Sequence, residues 1–156
     1  MKTFSSVLHI LTRYFPAADG SGISDVIHEF GRASDSLLYA ALYVPDLVEE
    51  NGSVLLKWSL PDESEKHRFR SLLNEVQTSE ERERLEASFN FVEVGYLFGP
   101  KGRNLSDDED SVLAELLATA WNGRLAVAFP RRKFVVEVLS PKQTGSTVGV
   151  HFFERR

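Results

Sequence analysis

The run from Leu105 to Glu154 constrains the fold more than any other part of this chain, because it divides into one capped helix and three alternating apolar segments. Ser106-Asp107-Asp108-Glu109 has the form of a capping box, in which the serine hydroxyl accepts the Glu109 amide and the Glu109 carboxylate reaches back. The successive acids Asp107 to Asp110 fall where the positive end of a helix dipole favours them. Val112, Leu113, Leu116, Leu117, Ala120 and Trp121 then recur at helical spacing. Asn122-Gly123 suits a left-handed C-terminal cap, so the pattern predicts a helix that ends there.

Beyond that cap, apolar residues alternate with period two over residues 124–129, 134–139 and 147–153. Setting Val127 opposite Val136, and Val136 opposite Val150, aligns the three apolar sets on one face. A slip of one residue would turn a whole set to solvent. The expectation is an antiparallel, three-stranded C-terminal meander with the helix laid across it. Val135, Leu139 and Phe153 leave the opposite face partly apolar, for the N-terminal half to cover.

Upstream, Asn51-Gly52 separates two apolar runs and predicts a β-hairpin, since a type I′ turn needs positive φ at both central residues. Helical spacing is expected before Pro16, from Ile23 to Phe30 with Ser24 as cap, and from Ser34 to Val44, where Leu37, Leu38, Ala41 and Leu42 recur. Asp19-Gly20-Ser21-Gly22 reads as a flexible link. Pro61-Asp62-Glu63 opens a helix with Phe69, Leu72, Leu73 and Val76 inward, and Thr78 or Ser79 caps another with Leu85 and Phe89 inward. Residues 91–98 alternate as a strand would, although helical spacing also fits them.

These elements predict a single α+β domain spanning residues 1–156, an antiparallel sheet with helices packed on it. The chain has no Cys, which removes disulfides, thiolate nucleophiles and thiolate zinc sites and favours a cytoplasmic setting. No apolar run is long enough to span a bilayer, so no membrane partner is expected. Residues 1–18 hold no acid and only Lys2 and Arg13 as bases, too little Arg for a transit peptide, so a helix docked on the core is preferred. Charge is unevenly spread: residues 1–61 carry −3, residues 62–110 carry −6 and residues 111–156 carry +4. Such a dipolar surface steers a basic partner toward its acidic middle.

Sites for chemistry are thin. Gly99-Pro100-Lys101-Gly102-Arg103 precedes a helix as an anion loop would, but it lacks phosphate-loop spacing and the four carboxylates that follow repel a phosphate. Those acids lack the alternation and central Gly of a calcium loop. Glu137 and His151 share one sheet face in the expected register, with Glu137 opposite Gly149 and His151 one step diagonal, so they are the candidate catalytic pair. His and carboxylate residues do not converge at ligand spacing, so neither metal nor cofactor is expected. Arg131, Arg132 and Lys133 form a basic hairpin tip that would carry RNA binding, which the acidic overall charge disfavours.

The leading expectation is therefore a non-catalytic protein-binding domain, of the kind that an immunity or antitoxin protein uses against a basic partner. Its candidate partner-binding residues are Glu63, Glu80, Glu81, Glu83, Asp107, Asp108 and Asp110. The alternatives are a small enzyme using Glu137 and His151, and an RNA-binding module using residues 131–133. The sequence leaves the oligomeric state open.

Overall fold

In the computed structural model, which describes residues 2–16 and 22–156, Asn51 and Gly52 have φ of 48° and 78°. That is the turn the dipeptide predicts, and it closes a hairpin in which Leu47 pairs with Leu56 and Glu50 with Ser53. The helices are α1 (Lys2–Tyr14), α2 (Ile23–Phe30), α3 (Ala33–Tyr43), α4 (Glu63–Glu75), α5 (Ser79–Phe89), α6 (Asp107–Ala128) and the short α7 (Pro141–Thr144). The strands are β1 (Leu47–Glu50), β2 (Ser53–Leu56), β3 (Val92–Glu93), β4 (Phe134–Leu139) and β5 (Gly149–Glu154). They make a single α+β domain with two antiparallel sheets among the described residues, one of order β1-β2 and one of order β3-β5-β4. The Asp19-Gly20-Ser21 part of the expected link lies outside the described residues.

Residues 124–129 are not a strand. The helix α6 continues through Asn122 and Gly123 to Ala128. Leu117, Trp121 and Leu125 fall four residues apart, and all three are buried, so the helical stripe gains its last member from the segment that also alternates. Val127, which a strand would bury beside Leu125, is instead 79% exposed. Gly123 sits on the solvent side, where its cost of about 1 kcal/mol is less than the gain from burying Leu125.

The third strand is β3. Its two residues pair as Val92↔Val150 and Glu93↔Gly149, and a 3₁₀ turn over Val94–Tyr96 follows at once. The alternation of residues 91–98 is thus realised as strand only at its start. Phe91 lies over Gly149 so closely that a β-carbon there would stand 2.3 Å from the ring, which only glycine permits.

Strand β4 spans the expected residues, but its register against β5 differs by two, with Val136 opposite Phe152 and Val138 opposite Val150. The connection explains the shift. Ser140 to Gly145 coils into α7, which ends on Gly145 at φ 80°, and this takes up more chain than a plain loop. An even shift leaves every side chain on its expected face. Helix α6 accordingly packs where expected, with Trp121 edge-on to Phe152 at 6.1 Å and Leu117, Leu125, Val148 and Val150 around them.

Two buried polar groups join the parts. Asn90, at the end of α5, accepts the Leu56 amide at 2.8 Å and donates to the Val54 and Phe152 carbonyls at 3.1 Å each. Its amide bonds one sheet to the other and satisfies backbone groups that no strand reaches. Glu86, one turn earlier and fully buried, accepts from Arg156 at 2.8 Å, from Arg82 at 3.4 Å and from the Glu154 amide at 2.9 Å. Phe69, Leu55 and Leu60 form a smaller core under α4, with Phe69 edge-on to Phe89 at 4.9 Å.

Candidate functional site

Helix α3 buries none of its residues. Leu37 is 78% and Leu38 68% exposed, and Tyr39 and Ala41 also face solvent, so the helical spacing of these residues does not mark a core stripe. The helix is held mainly at its C-terminal end, where the Leu42 carbonyl accepts from the Trp121 indole at 2.9 Å and Leu42 and Tyr43 pack on the core. Opposite α3 stands Trp58, on the 3₁₀ turn Lys57–Ser59, with its ring 6.3 Å from that of Trp121. Leu38, Ala41 and Trp58 thus expose apolar side chains close together along one cleft.

Three clefts that share lining residues follow one another between α3 and its surroundings and together are called the trough. A cleft of about 400 Å³ runs beside Val44, Pro61 and Trp58. It shares Ala41 and Trp58 with a second of about 470 Å³, lined further by Leu38, Leu97 and Phe98. The second shares Tyr39, Phe98 and Gly102 with a third of about 520 Å³, which ends on Tyr96, Asp107 and Asp110. Tyr39 and Phe98 meet at 6.2 Å between ring centres and form the sill between apolar and acidic ends.

The acidic end is built by the start of α6. Glu109 turns back into the helix, accepting from the Ser106 amide at 2.8 Å and from the Ser106 hydroxyl at 2.9 Å, so the hydroxyl donates to the carboxylate. Arg13 and Tyr14 of α1 also donate to Glu109. Its carboxyl is held below the usual range by the Ser106 amide first, against burial, with the Ser106 hydroxyl, Arg13 and Tyr14 assisting. Asp107 and Asp110 point the other way, into the trough, and neither has an ion pair or side-chain hydrogen bond among the described residues. Burial pushes the Asp110 carboxyl up, and the charges of Asp107 and Glu109 push it further. The bare Cα of Gly95 makes room there, since a β-carbon would stand 3.2 Å from Asp110 Oδ2 and 3.3 Å from Thr147 Oγ1. Arg103 lines the same end, but its guanidinium stacks 3.7 Å above the Tyr96 ring and donates to the Phe98 carbonyl at 3.3 Å. The Gly99 to Arg103 turn therefore forms a wall of this trough.

The other acids expected to bind a partner divide. Glu63 accepts from Lys66 at 2.5 Å on its own helix. Glu81 accepts the Gln77 and Thr78 amides at 2.7 Å and 3.1 Å as the cap of α5, and Glu83 accepts the Arg156 amide at 3.1 Å. Glu80 is exposed on α5 and Asp108 is exposed on α6, with neither on the trough. Asp107 and Asp110 alone of the seven expected acids line it.

Glu137 and His151 stand directly opposite, Oε2 to Nε2 at 3.0 Å, closer than the diagonal placement expected for them. The His151 ring is edge-on to Phe153 at 5.9 Å. No hydroxyl bonds to either among the described residues, and neither lines the trough. The basic run is not a hairpin tip, since it joins α6 to β4. Arg132 turns inward and donates to Glu154 at 2.9 Å and 2.5 Å, to Glu49 at 2.6 Å and to the Gly52 carbonyl at 2.8 Å. Arg131 and Lys133 remain exposed. Among the described residues no group of three His, Cys, Asp or Glu side chains is placed to hold a metal ion, and no helix is long and apolar enough to cross a membrane.

The Leu38, Tyr39 and Trp58 surface was the part that sequence reasoning missed. Its only prior signal was a helix with apolar residues around most of its girth, between α2 and Pro45. Comparison with known protein families, with curated proteins and with solved structures finds no match to this chain.

Proposed function

We propose that this is a non-catalytic protein-binding domain that docks a basic partner in the cytoplasm, in the manner of an immunity or antitoxin protein. The observation that carries the reading is the trough itself, where exposed Leu38 and Trp58 lead across the Tyr39–Phe98 sill to Asp107 and Asp110, carboxylates with no ion pair among the described residues. Apolar surface of this kind supplies affinity when covered, at about 25 cal/mol per Å² before association costs. Carboxylates at one end supply direction and partner choice, since a positive group meets them and a negative one is repelled. The net charge of −5 works the same way at longer range.

The test is affinity capture with the full chain at low and moderate salt, run beside a variant carrying Asp107→Asn, Asp108→Asn and Asp110→Asn. A basic protein held stoichiometrically by the parent and lost by the variant supports the reading. Capture of acidic proteins only, or of basic ones equally by both chains, contradicts it.

The 3.0 Å contact of Glu137 with His151 supports a second, weaker reading as an acid–base pair on an open sheet face. Turnover in a substrate screen that His151→Ala abolishes, with the fold intact, would favour it over the first.

A further inference from the structure

We infer that the trough beside α3 receives a segment of the basic partner that carries apolar anchors followed by a lysine or arginine, oriented with its cation at the Asp107–Asp110 end. The inference rests on the protein-binding reading and specifies what is bound, and in which direction.

The orientation follows from charge along the trough. At the Trp58 end the ionisable neighbours are Asp46 and Lys57, already paired at 3.5 Å, so that end offers no free charge to a guest. The middle is Leu38, Ala41, Leu42, Leu97 and Phe98, with Tyr39 beside them and no charged side chain in its lining. At the far end Asp107 and Asp110 face in, and Arg103, the one cation lining that end among the described residues, is committed to the Tyr96 ring and the Phe98 carbonyl. A guest with a positive group at one end only therefore fits in one direction. Reversed, it leaves its cation at an end whose carboxylate is already paired and buries apolar groups against two carboxylates.

The far end also suits an organic cation better than a bare ion. Tyr39 lines the same cleft as the carboxylates, and an aromatic face adds to the attraction of an ammonium or guanidinium group. The protein itself shows the mode in miniature. Helix α1 has apolar residues on one side and Arg13 near its end, and it lies on α6 with Ile10 and Leu11 toward Leu113 and Leu116 while Arg13 reaches Glu109. The start of α6 thus already holds one apolar-then-basic segment on one side, and the trough offers the same chemistry, unoccupied by any other part of the described chain, on its other side.

The experiment is selection of random twelve-residue peptides displayed on phage against the full chain, with the enriched peptides titrated against four proteins. These are the parent, Leu38→Asp, Leu37→Asp and the pair Asp107→Asn with Asp110→Asn. Leu37 is on the same helix and more exposed than Leu38, but it does not line the trough, so it controls for damage to α3. Both leucines are exposed, so neither change removes core packing. The expected peptides carry two or more large apolar residues followed by Lys or Arg. Their affinity should fall about tenfold or more with Leu38→Asp and with the Asn pair, and about twofold at most with Leu37→Asp. Peptides without a basic residue, peptides that bind Leu38→Asp undiminished, no enrichment at all, or a stable dimer of the chain that protects Leu38 would each overturn the inference. If capture of a basic partner survives Leu38→Asp, the protein-binding reading stands and only the trough assignment falls.

Discussion

Arg156, the last residue of the chain, places its Nη1 2.8 Å from the carboxylate of Glu86, whose side chain has no exposed surface. The same guanidinium donates to Glu154 at 2.6 Å and to the Gly52 carbonyl at 3.2 Å, while Arg82 holds the Asn51 carbonyl at 2.7 Å. The turn of the β1–β2 hairpin, the helix α5 and the end of β5 are therefore fastened through one ionic cluster. Burial pushes the Glu154 carboxyl up, but the Arg132 hydrogen bonds and the Arg156 charge outweigh it and hold this group below its ordinary range.

Removing Glu86 takes a fully buried carboxylate from Arg82 and Arg156, and since each keeps another acceptor the cost is about 3 kcal/mol, the low end for breaking a buried pair. Glu86→Ala is expected to lose that much stability in urea unfolding. Arg156→Ala should lose less, because Arg82 still reaches Glu86. A Glu86→Ala chain as stable as the parent would show that the cluster does not hold the hairpin to α5.

Gly123→Ala has opposite expected signs for a helix that ends at Asn122-Gly123 and for one that runs through. Inside the helix, at a solvent-facing site where the new β-carbon meets nothing within 4 Å beyond its chain neighbours and the nearby helix backbone, alanine should stabilise by about 0.5–1 kcal/mol. At a left-handed cap the same change would destabilise. Thermal unfolding of the two chains decides it.

That ambiguity shows what was legible in the sequence and what was not. The start of α6, the Asn51-Gly52 hairpin and the limits of β4 depend on neighbouring residues, and all could be read. Leu125, Val127 and Phe129 alternate as a strand does, yet Leu125 also continues the four-residue series of Leu117 and Trp121, and only packing chose between them. The direct pairing of Glu137 with His151 depended on how much chain α7 would absorb. The inward turn of Arg132 and Glu83 joins residues far apart in sequence, so local pattern made them look like free surface charge. For Leu37 and Leu38 the difficulty differs in kind, because an apolar residue left exposed has the same composition signal as one buried in the core.

Asp110 should trade stability for binding. Its carboxyl is raised by burial and by Asp107 and Glu109 on its own helix, with Arg103 and Thr147 facing it from the neighbouring segments. A carboxylate whose folded pKa lies above the unfolded value costs stability when ionised, and the cost is relieved as pH falls through the folded value. Asp110→Asn is therefore expected to raise the melting temperature at pH 7. The gain should shrink with acidification and vanish below about pH 4, the unfolded carboxylate range. A variant that melts lower than the parent at pH 7 would mean that the ionised Asp110 is a stabilising group.

The most direct measurement of the central claim is amide hydrogen exchange across the full chain, alone and with a captured basic partner. The account predicts slowed exchange over α3, around Trp58 and from Val94 to Asp110, with β4 and the Glu137–His151 face unchanged. Protection confined to the sheet face, or to α4 and α5 where Glu63 and Glu80 lie, would contradict it.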